Sequence, residues 1–254
     1  MSRMIEIGTN FWNIRDSFLY FGGLVDIGTH MSLIRLSTGK FLVIDTCNVN
    51  ATDKQKIDTL TENGTKIEAV IATHPFHTVY FKPFHKWYPN VPYYGTPRHL
   101  RMIPEIQWAG DISQPDNLSR WESENIFLRI PTGGDFDPVD QKNHFSTVFV
   151  FHAASKSIHI DDTVLFFDHP GCVLSCFGKS HGSMEFWNLK KGLKPTKEAP
   201  GEFRDFIQQV INDWDFENII AAHTGNIIGG AKEKLRETLN KASPVLDQLA
   251  SEAK

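Results

Sequence analysis

Several histidines and aspartates of this 254-residue chain stand where an apolar, strand-like run ends. They are His74, His152, His223, Asp161 and Asp162. The end of a strand is a rigid mount for a ligand, which a metal site requires. Imidazole supplies a neutral nitrogen and a carboxylate supplies an anionic oxygen, a donor set that suits zinc, iron or manganese. The pattern therefore predicts a metal site assembled from several strand ends.

His77 lies three residues after His74, with Pro75 and Phe76 between them. If this segment starts a helix, the two imidazoles can face one ion from the loop and the first turn. A His-x-x-His pair alone is weak support for a metal site, because hydrogen bonding and packing are common roles for histidine. The other strand-end donors make the metal interpretation stronger.

The segments that must position these donors alternate between strand-like and helical patterns. Strands are predicted at 33–36, 41–44, 67–72, 147–152, 157–161, 164–167 and 218–222, where short apolar runs are bounded by turn signals. Helices are predicted at 53–63, 200–214 and 231–250 from composition and one-sided apolar residues. Because each strand-rich block ends in a helix, we expect helices to cover the outer faces of two packed sheets.

Composition and charge narrow the class of protein. Hydrophobic residues make up 41% and charged residues 22%, which is typical of a globular chain, and the length suits one domain over 1–254. The net charge of -4, with no run of Lys and Arg, disfavours nucleic acid as a partner. No secretory signal and no apolar stretch of the roughly 20 residues that a membrane helix needs is visible. We therefore expect a soluble, cytoplasmic protein with no membrane partner.

Residues 100–143 show no clear periodicity. Prolines at 104, 115, 131 and 138 interrupt them. We expect an irregular insertion here, either a functional lid or a passive surface loop.

The sequence around the donors resembles the metallo-β-lactamase superfamily across residues 20–230. The resemblance is carried by residues 31–45, whose final Val-Ile-Asp is followed by Thr46, and by residues 69–75, 160–166 and 219–225. In this alignment Asp162 matches the superfamily's bridging aspartate, while Asp161 is one residue out of register. His152 fits the middle histidine, and His223 the final one. The resemblance implies an αββα sandwich, an α/β fold of two mixed β-sheets with helices on both outer faces.

The chain departs from the superfamily motif His-x-His-x-Asp-His after its first histidine. Phe76 stands at the second histidine position, Thr78 at the aspartate and Val79 at the last histidine. In the superfamily, the aspartate and the last histidine of this motif hold the second metal. The aspartate also orients the attacking hydroxide. The resemblance therefore favours one zinc ion over two, with iron or manganese as alternatives. Its ligands would be His74, His77, His152 and Asp162, with His223 nearby or as a fifth ligand. An atypical two-metal site stays open.

The function implied by the resemblance is a metal-dependent hydrolase that acts on a small ester, lactone, thioester or amide. Asp162 and His223 would be its catalytic residues, its partner a small-molecule substrate, and its assembly a monomer or homodimer. The alternative is a non-catalytic metal- or metabolite-binding domain with a degenerate site, because the motif aspartate is missing.

Overall fold

The computed structural model describes residues 1–253 as two β-sheets with helices outside them. The strands are β1 (Met4–Gly8), β2 (Phe11–Asp16), β3 (Leu19–Tyr20), β4 (Val25–Asp26), β5 (Thr29–Arg35), β6 (Phe41–Ile44), β7 (Ile67–Ile71), β8 (Tyr93–Gly95), β9 (Trp108–Asp111), β10 (Ile126–Arg129), β11 (Phe149–His152), β12 (Ser157–Ile160), β13 (Val164–Phe167), β14 (Ser183–Phe186), β15 (Asn218–Ala221) and β16 (Asn226–Ile227). The α-helices are α1 (Ala51–Thr61), α2 (Phe81–Trp87), α3 (Pro97–Met102), α4 (Pro115–Leu118), α5 (Cys172–Cys176), α6 (Leu189–Gly192), α7 (Ala199–Asp213) and α8 (Ala231–Glu252), and the 3₁₀-helices are Phe21–Gly23 and Glu122–Glu124.

Both large sheets are mixed. The first has the order β1-β2-β5-β6-β7-β8-β9, and its strands are antiparallel as far as β6 and parallel from β6 to β9. The second has the order β10-β11-β12-β15-β16, with only β12 and β15 parallel. Two further hairpins, β13-β14 and β3-β4, stand beside them.

The core fills the space between the sheets and the two spaces under the helices. In β6, Leu42 and Ile44 point between the sheets, while Phe41 and Val43 point towards the helices outside the first sheet. Side chains alternate between the two faces of a strand, so a strand covered on both faces reads as a continuous apolar run. This is why β6 shows no polar alternation in the sequence.

Helices cover both outer faces. Ile57 of α1 and Phe84 of α2 pack with the first sheet. On the other side, Phe203, Ile207 and Val210 of α7 share one face and pack on the second sheet. The αββα sandwich of two mixed sheets is therefore confirmed. No helix within residues 1–253 is long and apolar enough to cross a membrane.

The predicted irregularity of residues 100–143 is wrong for much of the segment. β9 pairs in parallel with β8 and extends the first sheet, while β10 pairs antiparallel with β11 and forms the edge of the second. Each of these strands has only four residues. Strands this short show too little alternation to stand out in a sequence, and their pairing comes from tertiary contacts. Within residues 100–143, the longest stretch without helix or strand is the one that follows β10 and leads towards β11.

Candidate metal centre

Two pairs of parallel strands bring the candidate donors together. β6 and β7 are parallel, so Asp45 and His74, which follow them, lie at the same edge of the first sheet. β12 and β15 are parallel, so Asp162 and His223 lie at the same edge of the second. The carboxyl ends of parallel strands are a common location for ligand sites. The two edges meet, since Nε2 of His74 lies 3.5 Å from Oδ2 of Asp162.

Asp162 is the centre of the arrangement. Its Oδ1 lies 2.8 Å from Nε2 of His223 and 3.4 Å from Nε2 of His77. Donor atoms of His74, His77 and Asp162 all lie within 4.8 Å of one another, so these three form a group that can hold a metal ion. His74 is fully buried and Asp162 is 6% exposed. The structure thus brings together four of the residues predicted for the site.

One feature of the Asp162 carboxylate, the environment of its Oδ1 atom, is what a metal ligand requires. Its Oδ1 is buried and accepts no hydrogen bond, although the nitrogens of His223 and His77 are close to it. A buried carboxylate oxygen without an aligned hydrogen bond is costly, because the neighbouring imidazoles replace only part of the hydration that it loses. A cation among these groups would remove that cost, since carboxylate oxygens and imidazole nitrogens are ligands that zinc accepts.

Burial and charge set the protonation of the site. Burial opposes ionisation of Asp162, but His74, His223 and His77 hold its pKa well below the ordinary value. Burial lowers the pKa of His74 to about 4, so its imidazole is neutral at neutral pH. Burial also disfavours charge on His77, yet the carboxylates of Asp162 and Asp161 raise its pKa well above the ordinary value. His77 therefore carries a proton that an ion would have to displace.

The last predicted donor, His223, is already oriented for a ligand. Its Nδ1–H donates to the carbonyl oxygen of Gly28 at 2.7 Å. A neutral imidazole that donates from Nδ1 leaves Nε2 as an acceptor. That Nε2 is the atom that faces Asp162.

His74 is less simply arranged. Its Nδ1 accepts a hydrogen bond from the backbone N–H of Phe76 at 3.2 Å, and its Nε2 donates to the carbonyl of His144 at 3.2 Å. Both ring nitrogens are therefore occupied. An ion bound at Nε2 would replace the contact with His144 and would require Nδ1 to hold the proton.

The structure places His152 outside this centre, which corrects the ligand set predicted from the sequence. β11 is antiparallel to β12, and His152 pairs with Ser157, the first residue of β12, whereas Asp162 lies beyond the last. The ring of His152 instead bonds Ser155 at 2.9 Å and stacks on Phe11. Because β11 runs antiparallel to β12, the histidine at the end of β11 lies at the opposite edge of the sheet from Asp162.

His144 takes a place near Asp162 that no motif indicated. It lies in the irregular segment before β11, with Nδ1 3.7 Å from Oδ2 of Asp162. Its ring stacks on Phe76, which lies between His74 and His77 in the chain. Its side chain is 41% exposed, so it lies between the buried donors and solvent. Since a loop carries it, no sequence periodicity could have located it.

A buried polar cluster lies directly behind the centre. It consists of His30, Asp45, Thr73, Thr147, His159 and Asp161, all nine-tenths or more buried. Nε2 of His159 lies 3.1 Å from Oδ2 of Asp45, and the backbone N–H of Thr73 donates to Asp45 at 2.9 Å. Burial and the neighbouring Asp161 carboxylate raise the pKa of Asp45 well above the ordinary value. Burial also opposes ionisation of Asp161, but His77 and the hydrogen bond from His30 hold its pKa well below the ordinary value, so Asp45 takes up a proton more readily than Asp161 does.

A separate group of donors lies at the surface. His181 Nδ1 is 3.3 Å from Oδ1 of Asp168, and the ring of His169 stacks on His181 at 4.1 Å. All three residues are exposed. Two stacked rings cannot both direct their in-plane lone pairs at one ion, so these side chains would have to rotate before they could bind a metal together.

An open cleft of about 730 Å³ lies next to His223. Gly28, whose carbonyl His223 contacts, and Thr224 both line it. Arg15 and Leu174 line other parts of the wall. A cleft of this volume is in the range that accommodates small molecules.

Comparison with known proteins identifies the fold. No protein-family model matches this chain, and no curated protein sequence matches it. Among solved structures it is similar to a metallo-β-lactamase from Hirschia baltica, with 15% identity, a TM-score of 0.60, and 93% of this chain and 95% of that chain covered. A metallo-β-lactamase from Erythrobacter litoralis, with β-mercaptoethanol in its active site, has 12% identity and a TM-score of 0.62, with 94% of this chain and 96% of that chain covered. The mono-zinc form of the metallo-β-lactamase FIM-1 from Pseudomonas aeruginosa has 12% identity and a TM-score of 0.59, with 94% of this chain and 95% of that chain covered. At these identities the likeness is one of fold.

Proposed function

We propose that this chain, which has the metallo-β-lactamase fold, is a metal-dependent hydrolase with a single zinc ion. The ion would be held by His74, His77, Asp162 and His223. The observation that carries the proposal is the Oδ1 atom of Asp162, which is buried and accepts no hydrogen bond while imidazole nitrogens surround it. A site assembled only for packing would pair this oxygen with a donor.

One ion is favoured over two because of the side chains after His77. Thr78 and Val79 follow it, and neither offers a carboxylate or an imidazole. Val79 is 58% exposed, so it points away from the buried donors. A second ion would therefore lack the donors that this segment would otherwise supply.

The protein residues provide orientation and proton handling. The bound ion would supply a Lewis acid that acidifies water and polarises a carbonyl or phosphoryl oxygen. Asp162 stays ionised, so it can serve as an anionic ligand and accept a hydrogen bond from a reacting group. His144 lies beside it and is partly open to solvent, which suits an imidazole that carries protons in and out.

The proposed substrate class is supported by this chemistry and by the cleft beside His223, whose wall includes Gly28 and Thr224 but none of the four proposed metal ligands. A small ester, lactone, thioester or amide has a carbonyl for the Lewis acid to polarise and fits a cleft of about 730 Å³. The cleft wall includes apolar Leu174, polar Thr224 and basic Arg15. The proposed substrates are therefore small molecules that carry both polar and apolar groups.

The test begins with protein purified without chelators. We expect about one zinc ion per chain by elemental analysis and hydrolysis within a panel of small esters, lactones, thioesters and amides. His74→Ala should lose both the ion and the activity, whereas His181→Ala, in the separate surface group, should keep both. Wild-type protein without metal, or full activity in His74→Ala, would refute the proposal.

A non-catalytic binding domain is the second candidate, and the hydrogen bonds of His74 favour it. Both of its ring nitrogens are occupied, so metal binding must rearrange this residue. An empty site after growth with added zinc, together with saturable binding of a small metabolite, would support this candidate over the hydrolase.

A further inference from the structure

The carboxylate of Asp161 is fully used inside the protein. Its Oδ1 lies 3.1 Å from Nε2 of His30 and 3.4 Å from Nδ1 of His77. Its Oδ2 accepts hydrogen bonds from the hydroxyls of Thr73 at 2.5 Å and Thr147 at 2.9 Å. The residue is 0% exposed, so these protein groups take the place of its water. Four contacts from three segments of the chain, namely β5, the loop after β7 and the loop before β11, fix the position of this carboxylate.

His77 lies between two carboxylates that use different nitrogens of its ring. Nδ1 faces Asp161, and Nε2 faces Asp162 at 3.4 Å. The backbone of His77 is also held, because its N–H donates to the carbonyl of His74 and its own carbonyl lies 3.3 Å from Nε2 of His99. His99 is fully buried, so this support is rigid.

We propose that Asp161 is a positioning residue for the metal centre: it accepts the Nδ1–H of His77 and so leaves Nε2 as the nitrogen that binds the ion. The inference rests on the metal site of the proposed function. A carboxylate that accepts from the free nitrogen of a metal-bound histidine fixes the ring and makes it a more basic ligand. The superfamily motif offered no such role for Asp161, which stands one residue out of its register.

The buried cluster behind Asp161 supports this role rather than a second metal site. Donor atoms of His30, Asp45, His159 and Asp161 are close enough to hold an ion. However, the rings of His30 and His159 are stacked, with centroids 4.0 Å apart and planes at 21°. Lone pairs that lie in two stacked planes do not converge on one point, and both rings are buried, so they have no room to rotate.

Hydrogen bonds pass through this cluster in a consistent direction. Ser32 lies 3.0 Å from Nδ1 of His159, whose Nε2 faces Asp45. Thr73 then bridges Asp45 to Asp161, because its hydroxyl contacts both carboxyl groups. With Asp45 protonated, it can donate to Thr73, which donates to Asp161. The chain of bonds ends on the carboxylate that faces His77.

Metal affinity and nitrogen assignment test the proposal together. Affinity is measured by competition with a chromophoric chelator, and the bound nitrogen is identified by ¹¹³Cd–¹⁵N coupling in cadmium-loaded protein with ¹⁵N-labelled histidine. In the wild type we expect coupling to Nε2 of His77 and a proton on Nδ1. Asp161→Asn should weaken metal binding by about 10- to 100-fold, the usual effect of losing such a partner.

Matched variants separate positioning from general stability. Asp53 is also a buried carboxylate, but it holds Ser2 and Arg3 at the N-terminal edge. Asp53→Asn should destabilise the protein without changing the metal affinity or the cadmium coupling. If Asp161→Asn does not fold, Thr147→Val removes the hydroxyl that contacts Oδ2 of Asp161 and the carbonyl of Thr73. It should weaken binding by less than tenfold while the coupled nitrogen stays Nε2.

Each outcome bears on a different claim. Coupling to Nδ1 of His77 in the wild type, or metal affinity within threefold of wild type in Asp161→Asn, would overturn the role of Asp161. A second ion that disappears in His159→Gln would also overturn it, since Asp161 would then be a ligand. Metal binding with the expected coupling but no hydrolysis would leave this inference standing and overturn the proposed function. A wild-type protein that binds no metal would overturn both.

Discussion

Among His74, His77 and Asp162, the residue that should lose a proton when the metal binds is His77. The carboxylates of Asp162 and Asp161 raise the pKa of His77 well above the ordinary value, so the ring is charged at pH 7. His74, with a pKa near 4, is already neutral, and Asp162 is already ionised. The ion therefore competes with the proton on Nε2 of His77.

The size of the effect follows from this count. Between pH 7 and the raised pKa of His77, each unit of pH should strengthen metal binding about tenfold, or about 1.4 kcal/mol. Above that pKa the ring is neutral before the ion arrives, and the affinity should level off. The affinity rises with pH, because the neighbouring carboxylates stabilise the protonated form of His77 and this form must lose its proton when the metal binds.

Calorimetric titration with zinc in two buffers of different ionisation enthalpy measures the released protons directly. We expect at least one per ion in the wild type and in His181→Ala, whose surface histidine lies in the separate group with Asp168. Binding that releases no proton, or an affinity that stays flat above pH 7, would refute the charge assignment of His77.

Two further predictions concern the fold. Burial lowers the pKa of His152 to about 4, so the unfolded chain takes up a proton first as the pH falls below about 6.5, and stability is lost from there down to about 4. Between pH 7 and pH 5 the free energy of unfolding, measured by denaturant titration, should fall by about 2 kcal/mol less in His152→Gln than in the wild type. The number of bound metal ions should not change, and loss of the ion in this variant would show that His152 is a ligand. Gly64 has φ +86°, and a Cβ there would lie 2.3 Å from Cδ1 of Tyr88, while Gly39 has φ +80° and no neighbour within 4 Å. Gly64→Ala should cost more than the roughly 1–3 kcal/mol of backbone strain expected for Gly39→Ala, and equal losses in the free energy of unfolding would exclude the clash with Tyr88.

The strands that carry the donors were predictable because their signal is local. β6 and β13 coincide with the predicted runs, and α7 begins and ends one residue earlier than predicted. Apolar runs between turn residues report a buried strand whatever it pairs with. The same local signal placed His74 and His223 at strand ends, where the structure has them.

The N-terminal strands were not predicted, although they build one edge of the first sheet. β1 is largely open to solvent and β2 alternates incompletely, so neither forms the continuous apolar run of a strand buried on both faces. The helix α1 begins two residues before the predicted start because the side chain of Asn50 caps it through the N–H of Asp53.

The sequence by itself determined which residues could act as donors and which strands carry them, since residue type and periodicity are local properties. Only the tertiary structure decided which donors meet. His152 is the last residue of β11 and Asp162 follows β12, but these strands run in opposite directions, so the two residues lie at opposite edges of the sheet. His144 reaches Asp162 from a loop. Strand direction and loop path come from contacts between residues far apart in the chain, and no single run of sequence contains them.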